Sequence, residues 1–199
     1  MDKKKPIYII EHLEPELFEW CLIEYQHISE TVGKENLWFT NISNEKARKK
    51  LEKFGKVYSE SIKKLGRMID FSKICVLDPE ADKLLVTGDS RVYDYFLFGG
   101  ILGDYPPKKR TKKELTKFIS GSGERHIGKE QMSTDNAVYT VKEILDGKKF
   151  EELKFKDKIS IHLDKFEFVD LPYRYNLVNG KPFMSSQIPV YLKKKGAFR

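Results

Sequence analysis

Tyr93-Asp94-Tyr95-Phe96-Leu97-Phe98 runs without a break into Gly99-Gly100-Ile101-Leu102-Gly103-Asp104. This aromatic strand ending in glycines is the segment best suited to holding a small molecule. Glycines at a strand end let backbone amides and carbonyls approach a ligand where a side chain would collide. In an α/β sheet such a turn lies beyond the carboxyl ends of the strands, where ligands bind. The spacing is not GxGxxG, and no GxxxxGK[ST] occurs, so a dinucleotide fingerprint and a P-loop are both disfavoured. Gly121-Ser122-Gly123 reads as a flexible connection.

Other chemistries find less support. His12, His27, His126 and His162 are scattered, with no HExxH or other metal-ligand spacing, so no metal is expected. No serine sits in GxSxG, which removes the commonest hydrolase reading. Ser133 and Thr134 before Asp135 are explained by helix capping. Lys108-Lys109-Arg110 with Lys112, Lys113 and Lys117 forms either a phosphate-contact patch or a solvated helix entry.

The elements that would position these residues alternate in type. Ile7–Ile10 suits a buried strand, and Glu14-Pro15 opens a helix. Leu17, Cys21, Tyr25, Ile28 and Val32 recur at helical spacing before a stop at Gly33. Leu37–Phe39 and Lys73–Asp78 are further strands, and residues 44–70 are lysine-rich helical stretches. A helix over about 135–146 is followed by a strand at Phe166–Val169, a turn at Asp170–Tyr175 and a hairpin at Asn179-Gly180. Strands separated by helical segments predict an α/β fold with a mostly parallel sheet. With no internal repeat and no dividing linker, residues 1–199 are expected to form one domain.

The net charge of +7 admits two explanations. It fits an acidic partner such as RNA or a ribosomal assembly. Lysine and glutamate enrichment with only three glutamines also fits a heat-adapted, lysine-rich proteome. Cys21 and Cys75 lie in apolar runs and read as buried thiols of a reducing compartment. The apolar stretch after the basic N-terminus is too short for a signal-peptide core, and no run reaches the ~18 residues of a membrane span. A cytoplasmic protein is expected.

Five blocks in order carry a resemblance: Ile9–His12, Cys75–Pro79, Tyr93–Pro107, Gly128–Asp135 and Leu171–Tyr175. Together they resemble the SPOUT-class S-adenosylmethionine-dependent methyltransferases once labelled predicted RNA methyltransferases. That family includes a yeast arginine methyltransferase acting on a small-subunit ribosomal protein. The resemblance spans roughly residues 7–183; residues 44–70 match poorly.

The resemblance implies a SPOUT fold, a mostly parallel sheet flanked by helices with a C-terminal deep trefoil knot, one of the rare exceptions to unthreaded topology. It implies S-adenosylmethionine as cofactor, held by three loops. Carried onto this sequence, they supply Gly99, Gly100, Ile101, Leu102 and Gly103; Ile127, Gly128, Met132, Ser133 and Thr134; and Leu171, Pro172 and Tyr173. Residues from about 148 onward form a C-terminal extension that could cover the dimer surface usual in the class, so monomer and homodimer both stay open.

Methyl transfer to a protonated guanidinium asks for carboxylates that orient it and ease loss of a proton. Glu11 and Asp104 are the expected catalytic residues, with Asp135 left to capping. The main expectation is a protein arginine N-methyltransferase with a ribosomal or translation-linked protein substrate. An RNA methyltransferase acting on rRNA or tRNA is the alternative, using the 108–117 patch and Tyr105, Tyr173 and Tyr175 for stacking. A non-catalytic ribosome-assembly binding module is the third reading.

Overall fold

The computed structural model describes residues 5–103 and 108–195. Six strands form one parallel sheet: β1 (Ile7–His12), β2 (Leu37–Thr40), β3 (Lys56–Val57), β4 (Ile74–Leu77), β5 (Tyr95–Gly100) and β6 (Gly123–Arg125). Their order across the sheet is β3-β2-β1-β5-β4-β6. The central pair sets Ile7 against Tyr95, Glu11 against Gly99 and His12 against Gly100.

The apolar runs of these strands divide with period two between the faces. Tyr8, Ile10, Cys75, Leu77, Phe96 and Phe98 share one core with Tyr25, Ile28, Val138, Val141 and Ile144. Those partners come from α1 (Glu19–Val32) and α4 (Thr134–Leu145). Ile9, Ile74, Val76 and Leu97 share the other with Ile62, Leu65, Leu115 and Ile119. Burial of both faces explains why these strands read as unbroken apolar runs. The shorter α2 (Glu45–Leu51) and α3 (Arg110–Glu114) complete the helices of this part.

From 148 onward the chain builds a second layer. β7 (Phe155–His162), β8 (Phe168–Val178) and β9 (Lys181–Pro182) make an antiparallel sheet, followed by α5 (Gln187–Lys195). Ile159, Ile161, Leu171, Tyr175, Ile188 and Leu192 pack with Ile23 and Trp20, so this layer covers the outer side of α1. No helix among the described residues is long and apolar enough to cross a membrane.

The first helix begins at Glu19, not at Glu14-Pro15, with Phe18 extended at its N-cap; the Glu14 carboxylate is instead engaged by Leu102 and Arg110. Gly99 and Gly100 end β5, in agreement with an aromatic strand that closes on glycines. The segment 170–175, expected as a turn, is the middle of β8. Its partner β7 has no counterpart among the expected strands. Pro172 is tolerated because the ladder slips between Asp157 and Ile159, opposite Lys158 at φ 58°.

Candidate functional site

At the carboxyl ends of β4 and β5 lies a cavity of about 570 Å3. That volume suits a small-molecule site, and the position is where parallel sheets bind ligands. Its walls are Leu77–Glu80 after β4, residues 98–103 at the end of β5 and residues 127–134 leading into α4; Lys108–Thr111 stand at the rim. Leu77, Phe98, Ile101, Ile127, Met132 and Ala137 make much of the wall apolar.

Each loop is fixed by bonds the backbone alone would not supply. Asp78 is buried: one oxygen accepts the Glu80 N–H at 2.9 Å and the other the Thr116 hydroxyl at 2.6 Å. Glu14 accepts the Leu102 N–H at 3.0 Å and pairs with Arg110 at 2.7 Å. Arg110 also donates to Glu114 at 2.7 Å and to the Leu13 carbonyl at 3.1 Å. The glycine turn and the rim helix α3 are thereby tied to one carboxylate. Arg174 N–H donates to the Gln131 carbonyl at 2.8 Å, and the Tyr173 hydroxyl to the Gly103 carbonyl at 2.7 Å. Strand β8 thus braces the cavity from behind.

Of the residues expected to hold a cofactor, Gly99, Ile101, Gly103, Ile127, Gly128, Met132 and Thr134 line the cavity. The others are not among its lining residues, and each has an evident alternative role. A Cβ on Gly100 would overlap the Tyr25 hydroxyl, so that glycine serves core packing. Leu102 packs against the main core, and Ser133 donates to Asp135 at 2.6 Å. Leu171 is buried in the C-terminal core, with Pro172 and Tyr173 beside it in β8. Tyr173 is joined to the site by its hydrogen bond to the Gly103 carbonyl.

Glu11 is fully buried on the side of β2 and accepts from Thr40, Ser61 and the Ile62 N–H. It is not brought into the cavity wall. Asp104, the other expected catalytic residue, and Tyr105 lie outside the described residues. Sequence reasoning missed Leu77, Asp78, Phe98 and Ala137 as wall residues, whereas Lys129, Glu130 and Gln131 lie within the expected loop from Ile127 to Thr134. The signal was present for Asp78, which closes a strand in the block Cys75–Pro79. Among the described residues no cluster of three metal-ligating side chains occurs.

An acidic pair is buried beside the entrance to α4. Asp135 accepts from Ser133 and the Asn136 N–H and lies 2.8 Å from the His27 ring nitrogen. Glu24 accepts the Trp20 indole N–H at 2.7 Å. Burial, followed by the nearby Asp135, pushes the Glu24 carboxyl up to about 8; hydrogen bonds from Trp20 and Thr134 oppose this without cancelling it. Folding therefore favours the protonated form. That contribution is complete below pH 4.5 and is lost as pH rises through about 8. Glu24→Gln keeps an acceptor for Trp20 and removes the titration. Its melting temperature should exceed the parent's by several degrees at pH 8.5 and converge with it near pH 4. An offset equal at both pH values would show that the carboxyl does not titrate this way.

Comparison with known proteins shows the family. Residues 7–197 match the family described as protein arginine N-methyltransferase SFM1-like. The Saccharomyces cerevisiae protein arginine N-methyltransferase SFM1 is 37% identical over 204 residues, covering 96% of this chain and 95% of the yeast protein. The crystal structure of the yeast enzyme complexed with SAM superposes with a TM-score of 0.88 at 35% identity, covering 98% of this chain and 92% of that one. The dual specific Trm10 of Thermococcus kodakaraensis shares the fold at 20% identity, with a TM-score of 0.58 over 74% of this chain and 96% of its own. On sequence and structure alike, this chain belongs to the SFM1-like family of protein arginine N-methyltransferases.

Proposed function

We propose that the protein is an S-adenosylmethionine-dependent protein arginine N-methyltransferase whose substrate is a ribosomal or translation-linked protein. The observation that carries this reading is the cavity at the ends of β4 and β5. Its apolar walls and three converging loops fit a bent nucleoside-amino-acid cofactor, in a chain whose family relatives include one complexed with SAM. Beyond the edge strand β6, the chain returns to the ends of β4 and β5 before entering α4. That return supports reading the crossing as the trefoil knot of the SPOUT class.

When bound, the cofactor supplies an electrophilic methyl group on a positively charged sulfur. Leu77, Phe98, Ile101, Ile127 and Met132 would shield that region from water, and the glycine backbone at 99 and 103 would admit close hydrogen bonds. The Glu14–Arg110 and Tyr173–Gly103 contacts hold the walls in place before binding, so alignment does not have to be established at the moment of reaction. A guanidinium acceptor needs a carboxylate at the wall. Glu130 lines the cavity, is exposed and has no ion pair among the described residues. We assign it, with Asp104, to orienting the acceptor and easing departure of its proton.

Incubation with methyl-labelled cofactor and separated ribosomal proteins or rRNA tests the reading. Label is expected in arginine of a protein. Glu130→Gln should raise KM for that protein about tenfold while leaving cofactor affinity unchanged. Label found only in RNA would overturn the protein-substrate assignment.

A further inference from the structure

The cavity rim carries a run of cations, Lys108, Lys109 and Arg110. Two of the rim charges are neutralised: Lys109 pairs with Glu80, and Arg110 with Glu14 and Glu114. The charge on the neighbouring face is not. Lys117, just past α3, and Lys63, in the 3-10 helix Ile62–Arg67, converge on one aromatic ring. Their ammonium nitrogens lie 4.9 and 4.4 Å from the centre of Phe118. Phe118 is 49% exposed, and Lys64 and Arg67 are exposed on the same 3-10 helix as Lys63. Among the described residues, none of Lys63, Lys64, Arg67 and Lys117 is ion-paired with a carboxylate. The acids nearest along the chain form no ion pair with these cations: Asp70 accepts the Ser72 N–H, Glu60 the Ser59 hydroxyl, and Glu114 pairs with Arg110.

A half-exposed aromatic ring between two ammonium groups matches a partner that brings both anions and flat apolar surface. An acidic protein surface would satisfy the lysines and leave the ring unused. Single-stranded RNA satisfies both, with phosphates for the cations and an unstacked base for the ring. We infer that the face formed by Lys63, Lys64, Arg67, Lys117 and Phe118 binds single-stranded RNA, and that RNA docked there brings an arginine-bearing ribonucleoprotein partner to the cavity. Only the second half rests on the methyltransferase reading.

Fluorescence anisotropy of the full chain with a short labelled oligoribonucleotide, without cofactor or protein substrate, tests the surface. Affinity should fall linearly with salt on a log–log plot, and the double variant Lys63→Gln/Lys117→Gln should flatten the slope by about 1.4, or about 0.7 per lost contact. Phe118→Ala should weaken binding about five- to hundredfold at every salt concentration and leave the slope unchanged. Circular dichroism and thermal melts establish that the exposed-site variants are folded. Variants that bind like the parent would overturn the inference. So would polyglutamate binding as tightly as RNA with no effect of Phe118→Ala, which would point to an acidic protein partner. Because the titration involves no methyl transfer, its failure leaves the proposed activity standing, and failed methyl transfer leaves the RNA surface standing.

Discussion

Gly103→Val is expected to raise the dissociation constant for S-adenosylhomocysteine at least about a hundredfold, or ~2.8 kcal/mol, while the protein remains folded. A Cβ at this position would overlap the Gln131 amide and the Tyr173 ring. The Gln131 amide ends a flexible side chain and can turn aside, but the Tyr173 ring is held, its hydroxyl bonded to the Gly103 carbonyl itself. Relieving that overlap pushes Gly103 away from β8 and displaces the wall formed by the end of β5, against which the cofactor is proposed to lie. Gly103 is only partly buried, so the melting temperature should change little. Gly100→Ala provides the contrast. Its Cβ meets Tyr25 and Ile10 in the core, so it should lower the melting temperature by several degrees and leave affinity in the folded protein nearly intact. Calorimetric titration beside thermal melts separates the two; a Gly103→Val protein that binds like the parent would remove this turn from the cofactor site.

The parallel sheet was legible because its strands are buried on both faces. Ile7–Ile10, Leu37–Phe39 and the Ile74–Leu77 centre of Lys73–Asp78 each read as continuous apolar runs, and each coincides with most or all of an observed strand. The helix ending at Gly33 was legible for a different reason: Gly33 adopts φ 83° and its N–H closes on the Ser29 carbonyl. The C-terminal sheet gives a weaker pattern. β7 alternates only from Ile159 onward, its first half being Lys156-Asp157-Lys158 on an exposed edge. β8 contains Pro172, which argues against a strand unless the bulge at Pro172-Tyr173 opposite Lys158 is known. A slip of one ladder by one residue has no local sequence signature.

The site divides the same way. Residues that touch the cavity through backbone at a strand end, Gly99 and Gly103, were found from residue type. The direction in which a glycine's missing side chain would point was not available, and it assigns Gly100 to packing instead. Charge was the least legible property. Lys108-Lys109-Arg110 drew attention as a run, yet Lys109 and Arg110 are paired with carboxylates distant in sequence, Glu80 and Glu14. Lys63 and Lys117, separated by more than fifty positions, meet around Phe118. Run length in sequence does not report which cations remain unneutralised after folding.

Glu11 is where the two roles of a carboxylate can be told apart most clearly. Glu11→Ala is expected to destabilise the fold by ~3–5 kcal/mol, the cost of leaving several buried donors without an acceptor. One oxygen accepts the Thr40 hydroxyl at 2.5 Å and the Ile62 N–H at 3.0 Å, and the other accepts the Ser61 hydroxyl. Those bonds fasten the start of the 3-10 helix Ile62–Arg67, whose Ile62 and Leu65 fill the second core. Glu11→Gln keeps one acceptor oxygen but turns an NH2 group toward a donor, so roughly half the loss should persist. A residue acting on the substrate would show the opposite pattern, with full stability and a collapsed kcat. Denaturant unfolding, together with S-adenosylhomocysteine affinity and turnover of the folded fraction, distinguishes the two. Near-parent turnover per folded molecule is expected. A stable but inactive Glu11→Gln protein would restore Glu11 to the chemistry. The backbone pairing of Glu11 with Gly99 means that even a structural carboxylate here sits one strand from the cavity wall. Its place in the block Ile9–His12 made Glu11 a plausible catalyst, while the direction of its side chain assigns it to the fold.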